Sequence, residues 1–240
     1  MVLVTPRIAA KRAEPILFAH RGGAAAAPEN TVEAFKLALE HGANGLESDV
    51  WVTADDVAVL AHDERFGRRS RRRRIADASA AELPTHVPTL AGLFEAVGTD
   101  FELSLDIKDP DAIQAIVDVL HSAGIGDRSW LCHPNLDVLV SWRQRWSDVR
   151  LVHSTRPAAV SVGPERHAAN LYEQKIDAVN FRHDQWSGGL TALYHRFGRY
   201  CFAWDAQLER VATEMLDIGT DAIFGDHVDR LISARAAVYL

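Results

Sequence analysis

His20-Arg21-Gly22, Glu47-x-Asp49, His62-Asp63 and Asp106-x-Lys108 gather ionisable side chains into four short clusters in the first half of the chain. The two-residue spacing puts Glu47 and Asp49 on one face of an extended strand, and Asp106 with Lys108 repeats it. If Glu47, Asp49 and Asp106 meet in a partly dry mouth, the three carboxylates repel one another, and a hard divalent cation relieves that repulsion. An all-oxygen ligand set suits magnesium, calcium or manganese rather than zinc. Arg21 and Lys108 add fixed positive charge, and with a cation they form a pocket for a phosphate or another anion. His20 and His62, with an unperturbed pKa of ~6.5, suit general acid–base work near neutrality.

Such residues need a scaffold that brings them to one place. Eight short apolar runs read as strands: Ile16–Ala19, Leu46–Val50, Leu103–Ile107, Trp130–Cys132, Leu151–His153, Ala178–Phe181, Tyr200–Trp204 and Ala222–Phe224. Segments with apolar residues at helical spacing lie between most of them, as at Ile113, Ile116, Val117 and Leu120. Asn30, Asp109-Pro110 and Pro134-Asn135 mark helix starts. The alternation predicts an α/β fold, a (β/α)8 TIM barrel forming one domain over residues 1–240. A small insertion after strand two holds a further strand, Val57–Ala61, an arginine-rich loop and a short helix over Ala76–Leu83, before a helix at Thr89–Val97. Catalytic groups of such barrels sit at the carboxyl ends of the strands. The four clusters, Trp204-Asp205 and Asp226 all fall at that end. His133, His153 and His183 also lie near strand ends, whereas His41, His121, His167 and His195 read as helix-surface residues. Trp130, Trp142, Trp146 and Trp186 are expected to pack between helices and barrel, and Cys132 and Cys201 to be buried and inert.

Composition narrows the rest. With 48% hydrophobic and 25% charged residues the chain is neither disordered nor fibrous. Its length of 240 residues is close to the about 250 typical of an α/β barrel. No run approaches the ~20 apolar residues of a membrane span, no secretory signal is visible, and the expected location is cytoplasmic. The net charge is −7, although six arginines crowd into Arg68–Arg74. One basic loop on an acidic body is a poor nucleic-acid surface. It suits a solvated loop, or local attraction of an anionic substrate or a weak contact with an anionic lipid surface.

The ordered series His20-Arg21-Gly22, Pro28-Glu29-Asn30-Thr31, Ala34-Phe35, Gly42, Glu47-x-Asp49-Val50, Thr53-x-Asp55, His62-Asp63, Val87-Pro88-Thr89-Leu90 and Asp106-Ile107-Lys108 resembles the glycerophosphodiester phosphodiesterase family. The likeness is dense from residue 16 to 108 and continues at Trp204 and Gly225-Asp226. The resemblance implies a barrel enzyme that uses a divalent cation to hydrolyse glycerophosphodiesters to glycerol 3-phosphate and an alcohol. It implies Glu47, Asp49 and Asp106 as metal ligands and His20 and His62 as the acid–base pair. Arg21 and Lys108 would hold phosphate oxygens, and Trp204 would lie against the glycerol or alcohol part. Asp63 would orient His62 or contact a glycerol hydroxyl. It also implies a route in which the glycerol 2-hydroxyl attacks phosphorus and water then opens the cyclic phosphate. Two features depart from the family: Asp stands at 106 where Glu is usual, and the span from His62 to Pro88 is short. The shorter side chain leaves room for phospholipase D-like barrels of the sphingomyelinase type as the enzyme alternative. The short span implies a more open mouth. An inactive phosphate-binding protein is the non-enzymatic alternative, and a metal-dependent amidohydrolase would want a His-x-His pair where Ala19-His20-Arg21 stands.

Overall fold

The computed structural model describes residues 8–68 and 72–239. Eight parallel strands close into a barrel: β1 (Ile16–Ala19), β2 (Gly45–Val52), β6 (Glu102–Ile107), β7 (Ser129–His133), β8 (Arg150–Ser154), β9 (Ala178–Arg182), β10 (Tyr200–Trp204) and β11 (Ala222–Gly225). β1 pairs with both β2 and β11, so no barrel edge is left open. Helices α1 (Val32–Glu40), α2 (Leu90–Val97), α3 (Ile113–Ser122), α4 (Leu136–Arg145), α5 (Pro164–Glu173), α6 (Gly188–Arg196), α7 (Glu209–Asp217) and α8 (Val228–Tyr239) lie between successive strands or after the last. The eight strands are those expected from sequence.

Alternation along each strand sorts two layers. Leu17, Leu46, Val50, Leu103, Leu131 and Val179 point outward against the helices. Ile16, Phe18, Trp130, Cys132, Val152, Phe202 and Phe224 fill the barrel interior. Trp130 is therefore a correction to the sequence reading: it shares the inward parity of Cys132. Its ring meets Phe202 edge-on at 4.8 Å, and its Nε1 donates to Glu102 at 2.7 Å. Trp142, Trp146 and Trp186 pack as expected in the outer layer.

The insertion after β2 holds β3 (Ala58–Leu60), antiparallel to β2, and a two-stranded flap, β4 (Arg65–Phe66) with β5 (Arg73–Arg74). The helix expected over Ala76–Leu83 is instead two 3-10 turns, Ile75–Asp77 and Ala80–Glu82. Ser79 stands between them in extended conformation as the N-cap of the second, and its amide and hydroxyl both donate to Glu82 Oε2, at 2.9 and 3.2 Å. Within the arginine cluster, Arg69, Ser70 and Arg71 lie outside the described residues. Arg72, Arg73 and Arg74 pair with Asp63, Glu82 and Glu64, so three of the loop's charges are already matched by the chain itself. No helix among the described residues is long and apolar enough to cross a membrane.

Candidate active site

The carboxyl ends of the strands surround a cavity of about 370 Å³. His20, Arg21, Glu47, Asp49, His62, Asp106, Lys108 and Trp204 all line it. Eight of the nine residues singled out from sequence thus meet in one place. The ninth, Asp63, lines an adjoining cavity and reaches the site only through His62.

β1 runs straight into a tight turn that delivers His20 and Arg21. Arg21 has φ 51°, and Gly22 (φ 83°) follows; a Cβ on Gly22 would sit 2.8 Å from Ala34 Cβ, so only glycine fits. The Pro28–Thr31 segment holds this turn. Glu29 binds the Arg21 guanidinium at 2.8 Å, and the Asn30 amide donates to the Arg21 carbonyl at 2.9 Å. The buried Asn30 side chain accepts from the Ser48 hydroxyl, and the Thr31 hydroxyl caps α1 by accepting from the Ala34 amide.

In-register pairing of β2 with β6 sets Asp49 opposite Asp106. Lys108 Nζ bridges the two carboxylates at 2.7 and 2.5 Å. Burial alone would lower the lysine's pKa, but Asp106 and Asp49 reverse that and raise it. Glu47 is buried and accepts the Arg21 amide at 3.0 Å. Burial, with the charges of Asp49 and Asp106 nearby, pushes it up to about 7 against the lowering influence of His20. Asp49 Oδ2 is buried without a hydrogen bond, and the nearest cation is Arg21 Nε at 3.3 Å. The floor of the cavity is thus short of positive charge. A hard cation held by Glu47, Asp49 and Asp106 fits that deficit.

Each histidine carries a carboxylate on Nδ1. His20 Nδ1 lies 2.6 Å from Asp226 Oδ1, and Gln207 donates to the other Asp226 oxygen at 2.9 Å. Burial would lower the His20 pKa, yet the Asp226 hydrogen bond and the charges of Glu47 and Asp226 raise it overall. His62 Nδ1 lies 3.1 Å from Asp63 Oδ1. A carboxylate on Nδ1 fixes that nitrogen as the donor and leaves Nε2 for a substrate. Gln207 escaped the sequence reading, as did Ser104, Cys132, Ser154 and Asn180 on the cavity wall. Strand parity alone would have found Cys132 and Asn180; Gln207 lies in a loop and gives no signal.

The remaining histidines divide. His133 and His183 do not line the cavity, and neither does His153, which is buried against His167. His167 and His195, expected on the surface, are largely inside: His167 bonds His153 and Tyr194, and His195 Nε2 bonds Asp221 at 2.8 Å. His195, Cys201 and Asp221 place ligand-type atoms within 4.8 Å of one another, but at the amino-terminal end of the barrel. Asp221 already accepts from the amides of Lys11, Arg12 and Cys201 as well as from His195, so its oxygens are spent on joining the chain's first described segment to β10 and β11.

The profile of the Glycerophosphoryl diester phosphodiesterase family matches residues 20–230. The chain belongs to this family. A glycerophosphodiester phosphodiesterase of Bacillus altitudinis is 27% identical over 248 residues, covering 91% of this chain and 97% of that one. Among solved structures, the glycerophosphodiester phosphodiesterase of Thermotoga maritima superposes with a TM-score of 0.81 at 22% identity, over 92% of this chain and 99% of that one. A phosphodiesterase of Oleispira antarctica, solved in complex with the product sn-glycerol-3-phosphate, gives 0.79 at 24% identity, over 92% and 96%. The two solved structures share the barrel, and the 20–230 match takes in every residue of the cavity described above.

Proposed function

We propose that the protein hydrolyses glycerophosphodiesters to glycerol 3-phosphate and an alcohol. The observation that carries this reading is the pairing of two carboxylate-braced histidines, His20 and His62, on one cavity floored by Glu47, Asp49, Asp106, Arg21 and Lys108. Family membership and the glycerol 3-phosphate bound by the Oleispira relative support the substrate class.

Glu47, Asp49 and Asp106 would hold a divalent cation, magnesium, calcium or manganese, whose charge would stabilise the negative charge developing on the phosphate. Arg21 and Lys108 orient the phosphate oxygens. Moving a phosphate into reach of Lys108 exchanges one of its two carboxylate partners for the substrate. One histidine, neutral at Nε2, accepts the proton of the glycerol 2-hydroxyl as that oxygen attacks phosphorus. The other, protonated at Nε2, gives its proton to the leaving alkoxide as the P–O bond breaks. The roles then reverse: water loses a proton to the second histidine, attacks the cyclic phosphate, and the glycerol 2-oxygen departs with the first histidine's proton. Trp204, exposed at 40% on the rim, offers an apolar face to the glycerol or alcohol arm.

The test is a panel of glycerophosphocholine, glycerophosphoethanolamine, glycerophosphoglycerol and a lysophospholipid, assayed with each of the three metals by 31P NMR for loss of the diester and for the phosphate product, which is glycerol 3-phosphate from the first three and an acylated phosphate from the last. Turnover of the glycerophosphodiesters supports the proposal. Turnover confined to the lysophospholipid supports a phospholipase D-like enzyme instead, and turnover of nothing in the panel leaves the phosphate-binding alternative.

A further inference from the structure

The arginine-rich flap does more than carry charge. We propose that Arg72 is a positioning residue for His62, acting through Asp63. This rests on the acid–base role proposed above for His62.

The two histidines are held on the same three-part plan. An imidazole meets a carboxylate at Nδ1, and a donor behind the carboxylate occupies its second oxygen. For His20 the parts are Asp226 and Gln207. For His62 they are Asp63 and Arg72, whose Nη2 donates to Asp63 Oδ2 at 2.6 Å. The same Nη2 donates to the Arg65 carbonyl at 2.8 Å, so the guanidinium is tied to the β4 backbone as well as to the carboxylate. β4–β5 pairing fixes where residue 72 sits, with Arg65 opposite Arg74 and Phe66 opposite Arg73. Arg73 to Glu82 and Arg74 to Glu64 pin the flap on either side.

The brace matters because His62 has little else to hold it. Its side chain is 45% exposed, and that of Asp63 is 62% exposed. The Asp63 contact is its only described side-chain hydrogen bond. A free neutral imidazole in water prefers its proton on Nε2, the wrong tautomer for a base that must accept there. Asp63 reverses that preference only while its carboxylate faces Nδ1, and with one oxygen committed to Arg72 it cannot rotate away. The contribution of an exposed ion pair to folding is small, so the consequence falls on ring orientation and tautomer.

The experiment has two arms. In the first, the imidazole nitrogens of His62 are observed by 15N NMR at pH 8, without substrate. The wild type is expected as the Nδ1–H tautomer, and Arg72→Ala as a mixture shifted toward Nε2–H; unchanged nitrogen shifts would overturn the proposal. In the second, Arg72→Ala lowers kcat about 10-fold with KM within about 2-fold, Arg72→Lys recovers part of the loss, and in an Asp63→Asn background Arg72→Ala costs nothing further. A loss carried by KM, erased by salt and reproduced by Arg68→Gln would show electrostatic attraction of the substrate instead and would overturn it. Because the first arm needs no turnover, a wild type inactive on glycerophosphodiesters would count against the proposed function and leave the brace standing on the NMR result.

Discussion

Two histidines in this cavity differ in how deeply their supports are built in. His20 is backed by Asp226, whose pKa is lowered chiefly by the hydrogen bond with that imidazole. Asp226 is in turn held by a side-chain amide from the loop after β10. Asp63 is lowered by Arg72 first and His62 second, out on the rim. His20→Ala and His62→Ala are each expected to lower kcat by about 10²–10⁴-fold, with the circular dichroism spectrum and Tm near wild type. Asp226→Asn, which keeps the shape but weakens the preference for Nδ1–H, should lower kcat by about 10-fold or more with KM little changed; steady-state kinetics decides this. His20, His62 and their neighbours were legible because each follows a strand and carries a reactive type. Gln207 was not, since an amide in a loop acquires its role only when β10 and β11 bring it to Asp226, nineteen residues along the chain.

At the scale of elements, the turn after β1 leaves no room for a side chain at Gly22. Gly22→Ala forces a side chain into φ 83° and to within 2.8 Å of Ala34 Cβ. A loss of about 1–3 kcal/mol of stability is expected, with reduced activity as the Arg21 amide shifts from Glu47; a denaturant titration measures the first. Between β8, α5 and α6, donors and acceptors form one consistent order with both imidazoles neutral. The Tyr194 hydroxyl donates to His167 Nδ1 at 2.7 Å, His167 Nε2–H to His153 Nδ1 at 2.9 Å, and His153 Nε2–H to the Pro134 carbonyl at 3.0 Å. Neither ring faces a carboxylate, and a proton added at His167 Nδ1 would meet only the Tyr194 hydroxyl, which would have to turn and accept it. Burial first, and then the neighbouring His153, lowers His167 to about 4, and burial lowers His153 as well. The unfolded chain therefore binds protons that the folded one refuses. Stability is greatest above the ordinary histidine pKa of ~6.5 and declines as pH falls from there toward 4, by on the order of 3 kcal/mol for His167. Chemical denaturation at pH 7.5 and 4.5 should show this decline, and His167→Phe should flatten it. Strand and helix positions were readable from apolar spacing, but which helical histidines turn inward was not. His167 sits on the buried face of α5 with Ala168 and Leu171, and only the packing of α6 supplies the Tyr194 hydroxyl that makes its burial tolerable.

For the molecule as a whole, the barrel separates two tasks. Its amino-terminal end is closed by aromatic packing around Trp130, Tyr200 and Phe202, and by Asp221, which binds the first described segment. Its carboxyl end keeps polar groups facing a cavity. The fold was legible because eight strand–helix units account for nearly the whole chain. The interior filling was less so, because a tryptophan reads the same from either face of a strand until parity with Cys132 is considered. The charge balance also changes meaning at this scale: the net −7 includes three carboxylates gathered at one mouth, where Arg21 and Lys108 only partly offset them. Chelation of divalent ions should therefore abolish turnover, and magnesium, calcium or manganese should restore it. Glu47→Ala should lose that response while remaining folded, as judged by activity titrations beside thermal melts. The most direct measurement is a 31P NMR time course of glycerophosphocholine with the protein and a divalent cation. The account predicts that the diester signal gives way to glycerol 3-phosphate, and that His20→Ala halts the conversion. Accumulation of phosphocholine, or an unchanged diester with all three metals, would contradict it.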